Sequence, residues 1–236
     1  MSLDRAFDSP ESKRRHVRTL FATIADRYDL ITQVLSFGQD ARWKRRLIGL
    51  ARVQPGERAL DLAAGTGDVA FAAATQGART VGLDITHRML QLASAKSAAA
   101  RFITGDMASL PFASSSFDLV TTSYGLRNVP DLDTAIDEIA RVLKPGGRLL
   151  SLDFNRPENA GVRAVYLSYL SVVGAALGWL LHRDADTYRY IPASIRRYPG
   201  ARGVAARLAG CGFDRVVVVP VLFGLMSIHV ARRSIR

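Results

Sequence analysis

Apolar residues recur through the first fifty positions at the spacing of one helix face. Between Ser12 and about Ala25 they fall at Val17, Leu20, Phe21 and Ile24, with Tyr28 next in line, and Ser9, Pro10 and Ser12 supply start signals. The spacing predicts an amphipathic helix. Ser36-Phe37-Gly38 reads as a turn, and a second helix over Asp40 to Ala51 puts Trp43 and Leu47 on one face. From Arg58 the texture changes to short β-type runs alternating with helical stretches. Strands are predicted at Arg58 to Leu62, Thr80 to Asp84, Arg101 to Thr104, Phe117 to Ser123 and Arg148 to Phe154. Between them lie a helix ending at Thr75, another over Arg88 to Ala99, and a third over Asp131 to Leu143 that stops at Lys144-Pro145-Gly146-Gly147. Such alternation requires right-handed crossovers and therefore a parallel sheet covered on both faces.

Beyond Asn155 the rhythm breaks. Val162 to Leu181 is a long apolar run whose only charge is Arg163. A membrane span needs roughly 20 apolar residues, so the run sits at the border of that class. Ser168, Ser171, Tyr166 and Tyr169 make it only moderately greasy, and Gly174 and Gly178 lower its helix propensity, so a buried or membrane-apposed lid helix is the expectation. A last helix over Val204 to Ala209 ends at Gly210-Cys211-Gly212, and the runs Val216 to Val219 and Leu225 to Ala231 read as an antiparallel hairpin at the sheet edge. The predicted fold is α/β: a Rossmann-like seven-stranded sheet, mostly parallel, with helices on both faces. One domain over 1–236 is expected, divided into N-terminal helices (1–50), a nucleoside-binding core (51–157), an apolar helical lid (158–203) and the closing helix and hairpin (204–236).

Composition narrows the chemistry. Of the 236 residues, 48% are apolar and 22% charged, which fits a globular chain large enough to bury a core without disulfides or metals. Cys211 is the only cysteine, which removes intramolecular disulfides and thiolate clusters, and the four histidines show no ligand spacing, so no metal is expected. The N-terminal stretch has no apolar segment after Lys13, Arg14 and Arg15 and does not read as a secretory signal. A net charge of +11 draws the molecule toward anionic surfaces such as nucleic acid or phospholipid, without choosing between them.

The first predicted strand runs into Gly65-Thr66-Gly67-Asp68-Val69-Ala70, which formally satisfies the dinucleotide fingerprint and serves S-adenosylmethionine (SAM) equally well. The surrounding acids separate the two. A dinucleotide brings a pyrophosphate and one ribose diol to read, whereas SAM brings a ribose diol, an adenine and a cationic amino-acid tail. Asp61 precedes the loop, where a carboxylate attracts an ammonium or sulfonium. Asp84 ends the second strand, where it can accept both ribose hydroxyls. Asp106 ends the third, where it can accept from an adenine amino group while the Met107 N–H meets a ring nitrogen. Gly65 and Gly67 are expected to let the backbone approach the ligand. Any one of these acids could equally cap a helix; three at successive strand ends beside a glycine loop favour the ligand.

This arrangement, with Lys144-Pro145-Gly146-Gly147 before strand five, resembles the class I SAM-dependent methyltransferases. Tyr28-Asp29-Leu30 through Ser36 and Trp43, Leu60 to Asp68, Gly125-Leu126-Arg127-Asn128-Val129, Arg141 to Leu149 and Asp186-Thr187-Tyr188-Arg189-Tyr190 resemble, more narrowly, the UbiE/MenG family of quinone-biosynthesis C-methyltransferases. The likeness runs from about Phe21 to the C-terminus. It implies cofactor contacts at Thr66, Gly67, Asp84, Asp106, Met107 and Ser123. The chain departs from the family pattern at Ile31, Thr32, Asp40, Asp153 and Asn155; Asp40 stands where the family carries histidine. These departures leave the SAM half untouched.

The resemblance implies methyl transfer to a ring carbon of a reduced polyprenyl quinol in menaquinone or ubiquinone biosynthesis, demethylmenaquinol foremost. Only the reduced ring can become electron-rich by losing a hydroxyl proton. Arg127, at the mouth of strand four, is the candidate to stabilise the developing phenolate and Asn128 to orient the hydroxyl, with Asp153 in the same catalytic set. A plain ion pair is the alternative for Arg127. Tyr28, Tyr188 and Tyr190 are the candidates on the substrate side. A tail that lives in the bilayer gives the apolar run and the arginine-rich surface a shared rationale, namely peripheral contact with an anionic membrane at its cytoplasmic, inner face. A homodimer is compatible with the chain. Another small-molecule or lipid methyltransferase, acting on a sterol-like or phospholipid amine acceptor, is the main rival. A nucleic-acid methyltransferase fits poorly, because Ser123-Tyr124-Gly125-Leu126 replaces the N-P-P-Y type of loop that grips a flipped base.

Overall fold

Runs of β-branched and leucine residues bounded by glycine and acids become strands β1 (Arg58–Leu62), β2 (Arg79–Asp84), β3 (Arg101–Thr104), β4 (Phe117–Ser123), β5 (Leu143–Phe154), β6 (Phe213–Val221) and β7 (Met226–Arg233). In the computed structural model, which describes residues 4–184 and 187–235, they form one sheet of order β3-β2-β1-β4-β5-β7-β6. The first five strands are parallel, and β7 runs antiparallel to both β5 and β6. The order reverses between β1 and β4, so their carboxyl ends open a crevice where sheets of this type bind ligands.

The helices are α1 (Pro10–Ile24), α2 (Tyr28–Leu35), α3 (Asp40–Ala51), α4 (Asp68–Thr75), α5 (His87–Lys96), α6 (Leu132–Val142), α7 (Ala160–His182), α8 (Tyr190–Arg197) and α9 (Gly200–Gly210). Alternate strand residues face opposite layers. Leu60, Leu62, Val120 and Leu149 meet Ile136, Ile139, Val204 and Leu208 of α6 and α9 on one side. Ala59, Leu119, Leu150 and Leu152 meet Leu47, Ile48, Val69 and Ala73 of α3 and α4 on the other. Each large apolar side chain so buried contributes roughly 1.5–3 kcal/mol, enough to fix the register on both faces.

Several boundaries differ from the sequence expectation. The α5 helix stops at Lys96, not Ala99, and α9 starts at Gly200, ahead of Val204. Strand β5 starts at Leu143 instead of Arg148, because Leu143 already pairs with Phe117 and the chain then shifts register. Gly146 makes that turn at φ +75°, and a Cβ on Gly147 would lie 2.8 Å from the Lys144 carbonyl oxygen, so the two glycines bend the strand without ending it. Helices α2 and α8 were not anticipated as separate elements. The apolar run is one helix, α7, which by length and composition could cross a membrane. Here it lies against the protein with Tyr166, Leu167, Leu170, Gly174 and Gly178 buried.

Candidate active site

The crevice is closed at its base by two left-handed residues at neighbouring strand ends, Ala63 (φ 52°) after β1 and Tyr124 (φ 61°) after β4. A positive φ costs a residue with a Cβ on the order of 1–3 kcal/mol and persists only where the surroundings hold it. Here the two loops interlock, since a Cβ on Gly125 would stand 2.4 Å from Thr122 Oγ1 and 2.9 Å from the Ala63 Cβ. On the β2 side, Asp84 accepts from the N–H groups of Gly65 (2.9 Å) and Thr86 (2.8 Å), which ties the glycine loop to the strand end. Burial raises the Asp84 carboxyl above its usual range, opposed by those N–H groups. Each carboxylate oxygen keeps a second lone pair for a ligand hydroxyl.

Asp84, Asp106, Met107, Gly65 and Ser123 line one cleft of about 680 Å³. Asp61, Thr66, Gly65 and Ser123 line a smaller cleft that adjoins it. Asp61 is buried; one oxygen accepts from Thr121 Oγ1 at 2.8 Å, and the other, like Ser123 Oγ, has no partner among the described residues. Burial pushes the Asp61 carboxyl up to about 7. A buried carboxylate with a free oxygen, next to a carboxylate that can take a diol, fits a nucleoside with a cationic tail. The cleft residues therefore suit SAM.

Gly67 also has a packing reason of its own. Its φ of +92° starts α4, and a Cβ there would lie 2.6 Å from the Phe71 ring, so its missing side chain makes room for packing beneath the loop. Thr66 Oγ1 donates to Asp29 of α2 at 2.6 Å. The N-terminal helix supplies residues that sequence reasoning missed. Arg14 Nε donates to Asp106 Oδ2 at 2.7 Å, and Lys13 Nζ donates to the carbonyls of Val129 (2.6 Å) and Arg127 (3.2 Å). Burial lowers the Lys13 amine to about 8. Helix α1 thus covers the cleft, and only its position in the fold reveals this.

The expected quinol-side residues meet in a second, mostly apolar chamber of about 1190 Å³, lined by Tyr28, Arg127, Tyr188 and Tyr190 together with Phe154 and Tyr166. Tyr188 bonds to His182 Nε2 at 2.9 Å, and Tyr190 stacks on Phe7. Arg127 is buried; its Nε lies 3.2 Å from Asp153 Oδ1 and its guanidinium stands 4.8 Å over the Phe154 ring. Asp153, fully buried, also accepts from the Arg127 N–H, so it acts on the chamber by holding Arg127. Asn128 accepts from Arg127 and donates to the Tyr124 carbonyl, and its amide keeps one N–H and one lone pair beyond these. Asp186 lies outside the described residues.

Tyr28 and Tyr124 line both clefts and the chamber, so they form the wall where a methyl donor and an acceptor would meet. Tyr124, also absent from the sequence expectation, donates to Asp40 at 2.6 Å. Asp40 pairs with Lys44 (2.6 Å), which in turn pairs with Asp68 (2.9 Å).

Comparison with known proteins agrees with this geometry. The ubiE/COQ5 methyltransferase family matches residues 9–233. The chain is 40% identical to a demethylmenaquinone methyltransferase of Thermus thermophilus, over 91% of this chain and 100% of that one. It is 39% identical to the ubiquinone/menaquinone biosynthesis C-methyltransferase UbiE of Azotobacter vinelandii, over 93% and 91%. Among solved structures, a SAM-dependent methyltransferase of Thermotoga maritima, described as a possible histamine N-methyltransferase, shares the fold with a TM-score of 0.68 at 18% identity, covering 91% of this chain and 98% of that one.

Proposed function

The chain belongs to the ubiE/COQ5 methyltransferase family, and from that premise we propose that it methylates a ring carbon of a reduced polyprenyl quinol, demethylmenaquinol foremost. It is a SAM-dependent methyltransferase; the acceptor and the residue roles are the proposal. The observation that carries it is the shared lining: Tyr28 and Tyr124 border both an acid-lined cleft and a mostly apolar chamber, so a donor in the first and an acceptor in the second would meet beside them.

When bound, SAM supplies a methyl on a sulfonium, an electrophile that needs no activation. The protein's residues do the rest. Asp84, Asp106 and Met107 would hold the nucleoside, and Asp61 with Ser123 would take the ammonium. Juxtaposition of acceptor and donor beside these tyrosines contributes to the rate by removing the entropy cost of their meeting. Arg127, the cation that lines the chamber, stabilises negative charge on the quinol oxygen in a site with little water, where such an interaction is strong. Asp153 keeps its guanidinium in place. Removing Arg127 would leave Asp153 buried and unpaired at a cost of about 3–5 kcal/mol, so its role is better read from Arg127→Lys than from alanine.

Around the chamber, Phe37, Leu222 and Phe223 are exposed, as are Val165, Val172 and Trp179 of α7. They support peripheral contact with an anionic membrane on the cytoplasmic side, from which a long tail would enter. The test of the function is direct: purified protein, SAM and chemically reduced demethylmenaquinol should give a product one methyl heavier, while the oxidised quinone gives none. A demethyl benzoquinol run in parallel reads the second acceptor, which the name of the Azotobacter relative favours. Failure with both ends the reading.

A further inference from the structure

We propose that Tyr124 and Asp40 form a proton path out of the apolar chamber: Tyr124 takes the hydroxyl proton of the bound quinol while handing its own to Asp40. The proposal rests on the quinol reading above and adds the group that accepts the proton. An apolar chamber cannot solvate a released proton, so a polar exit is required. Tyr124 is the wall residue with such an exit. Its hydroxyl donates to Asp40 Oδ1 at 2.6 Å, and Asp40 Oδ2 receives Lys44 Nζ at 2.6 Å. Lys44 bonds Asp68, whose side chain is 44% exposed, and Asp40, Lys44 and Asp68 line a cleft of about 480 Å³ separate from the chamber.

A phenol both donates and accepts, so a proton can enter at one lone pair as another leaves through the O–H. Tyr124 lines the chamber while its hydroxyl is held by Asp40, so the ring stands between the two. The charged and titratable groups around the pair are Lys44 from α3, Asp68 from α4, Tyr28 from α2, Asp153 from β5 and Asp61 from β1. Burial and the Asp40 charge hold the Tyr124 phenol protonated, so it conducts a proton and is not a standing base.

The quinol O–H bond breaks, its proton passes to Tyr124 Oη, and the Tyr124 proton passes to Asp40, from which it leaves through the polar cleft. The electron pair left on oxygen makes the ortho carbon nucleophilic; that carbon gains the methyl as the sulfur–methyl bond breaks with its pair on sulfur. The ring carbon then loses its hydrogen as a proton and the oxygen takes one up, which restores the aromatic ring. One proton leaves per turnover.

The test compares wild type, Tyr124→Phe, Asp40→Asn and the double variant on a short-tailed demethylnaphthoquinol, with kcat measured from about pH 6 to pH 10 and SAM affinity by calorimetry. Each single variant should bind SAM within about threefold of wild type. Near neutral pH each should lose about 100-fold in kcat, the worth of one general acid–base group. The loss should shrink nearly tenfold per pH unit as the quinol ionises unaided, and the double variant should be no slower than the slower single, since both act in one path. A loss constant across pH, multiplying losses in the double variant, or a Tyr124→Phe enzyme within twofold of wild type would overturn the path alone. A wild-type enzyme inactive on the reduced quinol overturns the path and the quinol reading together. Tyr124→Phe keeps the ring and decides the matter even where Asp40→Asn fails to fold.

Discussion

Burial pushes Asp61 up to about 7, against an ordinary carboxyl near 3.9, and this difference fixes two slopes. The folded, ligand-free protein holds a proton there that the unfolded chain has already lost. The stability this group contributes is therefore present at pH 4 and lost as pH rises through about 7. A cationic ligand prefers the ionised form, so SAM affinity should rise over the same interval and binding below pH 7 should release a proton. Calorimetry in two buffers of different ionisation heat reads both. Asp61→Asn should flatten the slope and weaken binding by about 10- to 100-fold, the worth of a charge-assisted hydrogen bond of roughly 1.5–3 kcal/mol; unchanged affinity would remove Asp61 from the site. Asp61, Asp84, Asp106 and Gly65 were legible because strand-end placement follows from the alternation of elements. Tyr124 and Asp40 were not, since they lie 84 residues apart and meet only because α3 and the β4 loop flank the same crevice. The same holds for Arg14 with Asp106, 92 residues apart.

Glycine inside a helix is a cost of about 1 kcal/mol relative to alanine unless space demands it, and the helices here contain both cases. Gly49, on the exposed side of α3, has nothing within 4 Å of where a Cβ would sit. Gly49→Ala should therefore stabilise the protein by about 0.5–1 kcal/mol. Gly174 of α7 lies where a Cβ would stand 3.1 Å from the Tyr188 Cβ, so the small residue lets the segment before α8 seat against α7. Gly174→Val should cost about 1–3 kcal/mol through overpacking, more than any gain in helix propensity, and should raise KM for the quinol because Tyr188 lines the chamber. Urea unfolding of the pair gives the contrast; equal shifts would show that Gly174 has room. Elements with a clear period, such as α6 and the parallel strands, were legible. Helix α2 was missed because it is 8 residues long and follows α1 after a single 3₁₀ turn, Ala25–Arg27, with no glycine or proline to mark the break. Helix α8 lies inside the predicted helical lid but was not drawn as a separate element, because 8 residues with Pro192 in the first turn, where proline is tolerated, carry too short a helical period to read.

The whole molecule combines a net charge of +11 with an apolar stripe, and each alone is a weak anchor. Val165, Val172 and Trp179 recur every seven residues and so share one face of α7, exposed at 73%, 69% and 62%. Phe37, 74% exposed, stacks on Tyr169 of the same helix and also lines the chamber, so the stripe reaches the chamber's rim. Arg183 stands 5.9 Å over the Trp179 ring, a pairing that on a bilayer would set the ring at the acyl boundary and the guanidinium at phosphate. Fully burying one large apolar side chain is worth roughly 1.5–3 kcal/mol, and each basic residue near an anionic surface about 1 kcal/mol. Salt screens the second term, with a Debye length of about 8 Å at physiological strength, and leaves the first. Binding to anionic vesicles in flotation should therefore weaken as salt rises from about 0.05 to 0.5 M without vanishing, and neutral vesicles should bind only the residual fraction. Trp179→Glu with Val172→Glu should abolish flotation at the higher salt and weaken it at the lower, while leaving turnover of a short-tailed quinol within about twofold, because neither side chain lines the chamber. Flotation indifferent to those substitutions, or complete loss at high salt in the unaltered protein, would show that charge alone brings the chain to the bilayer and that α7 does not enter it.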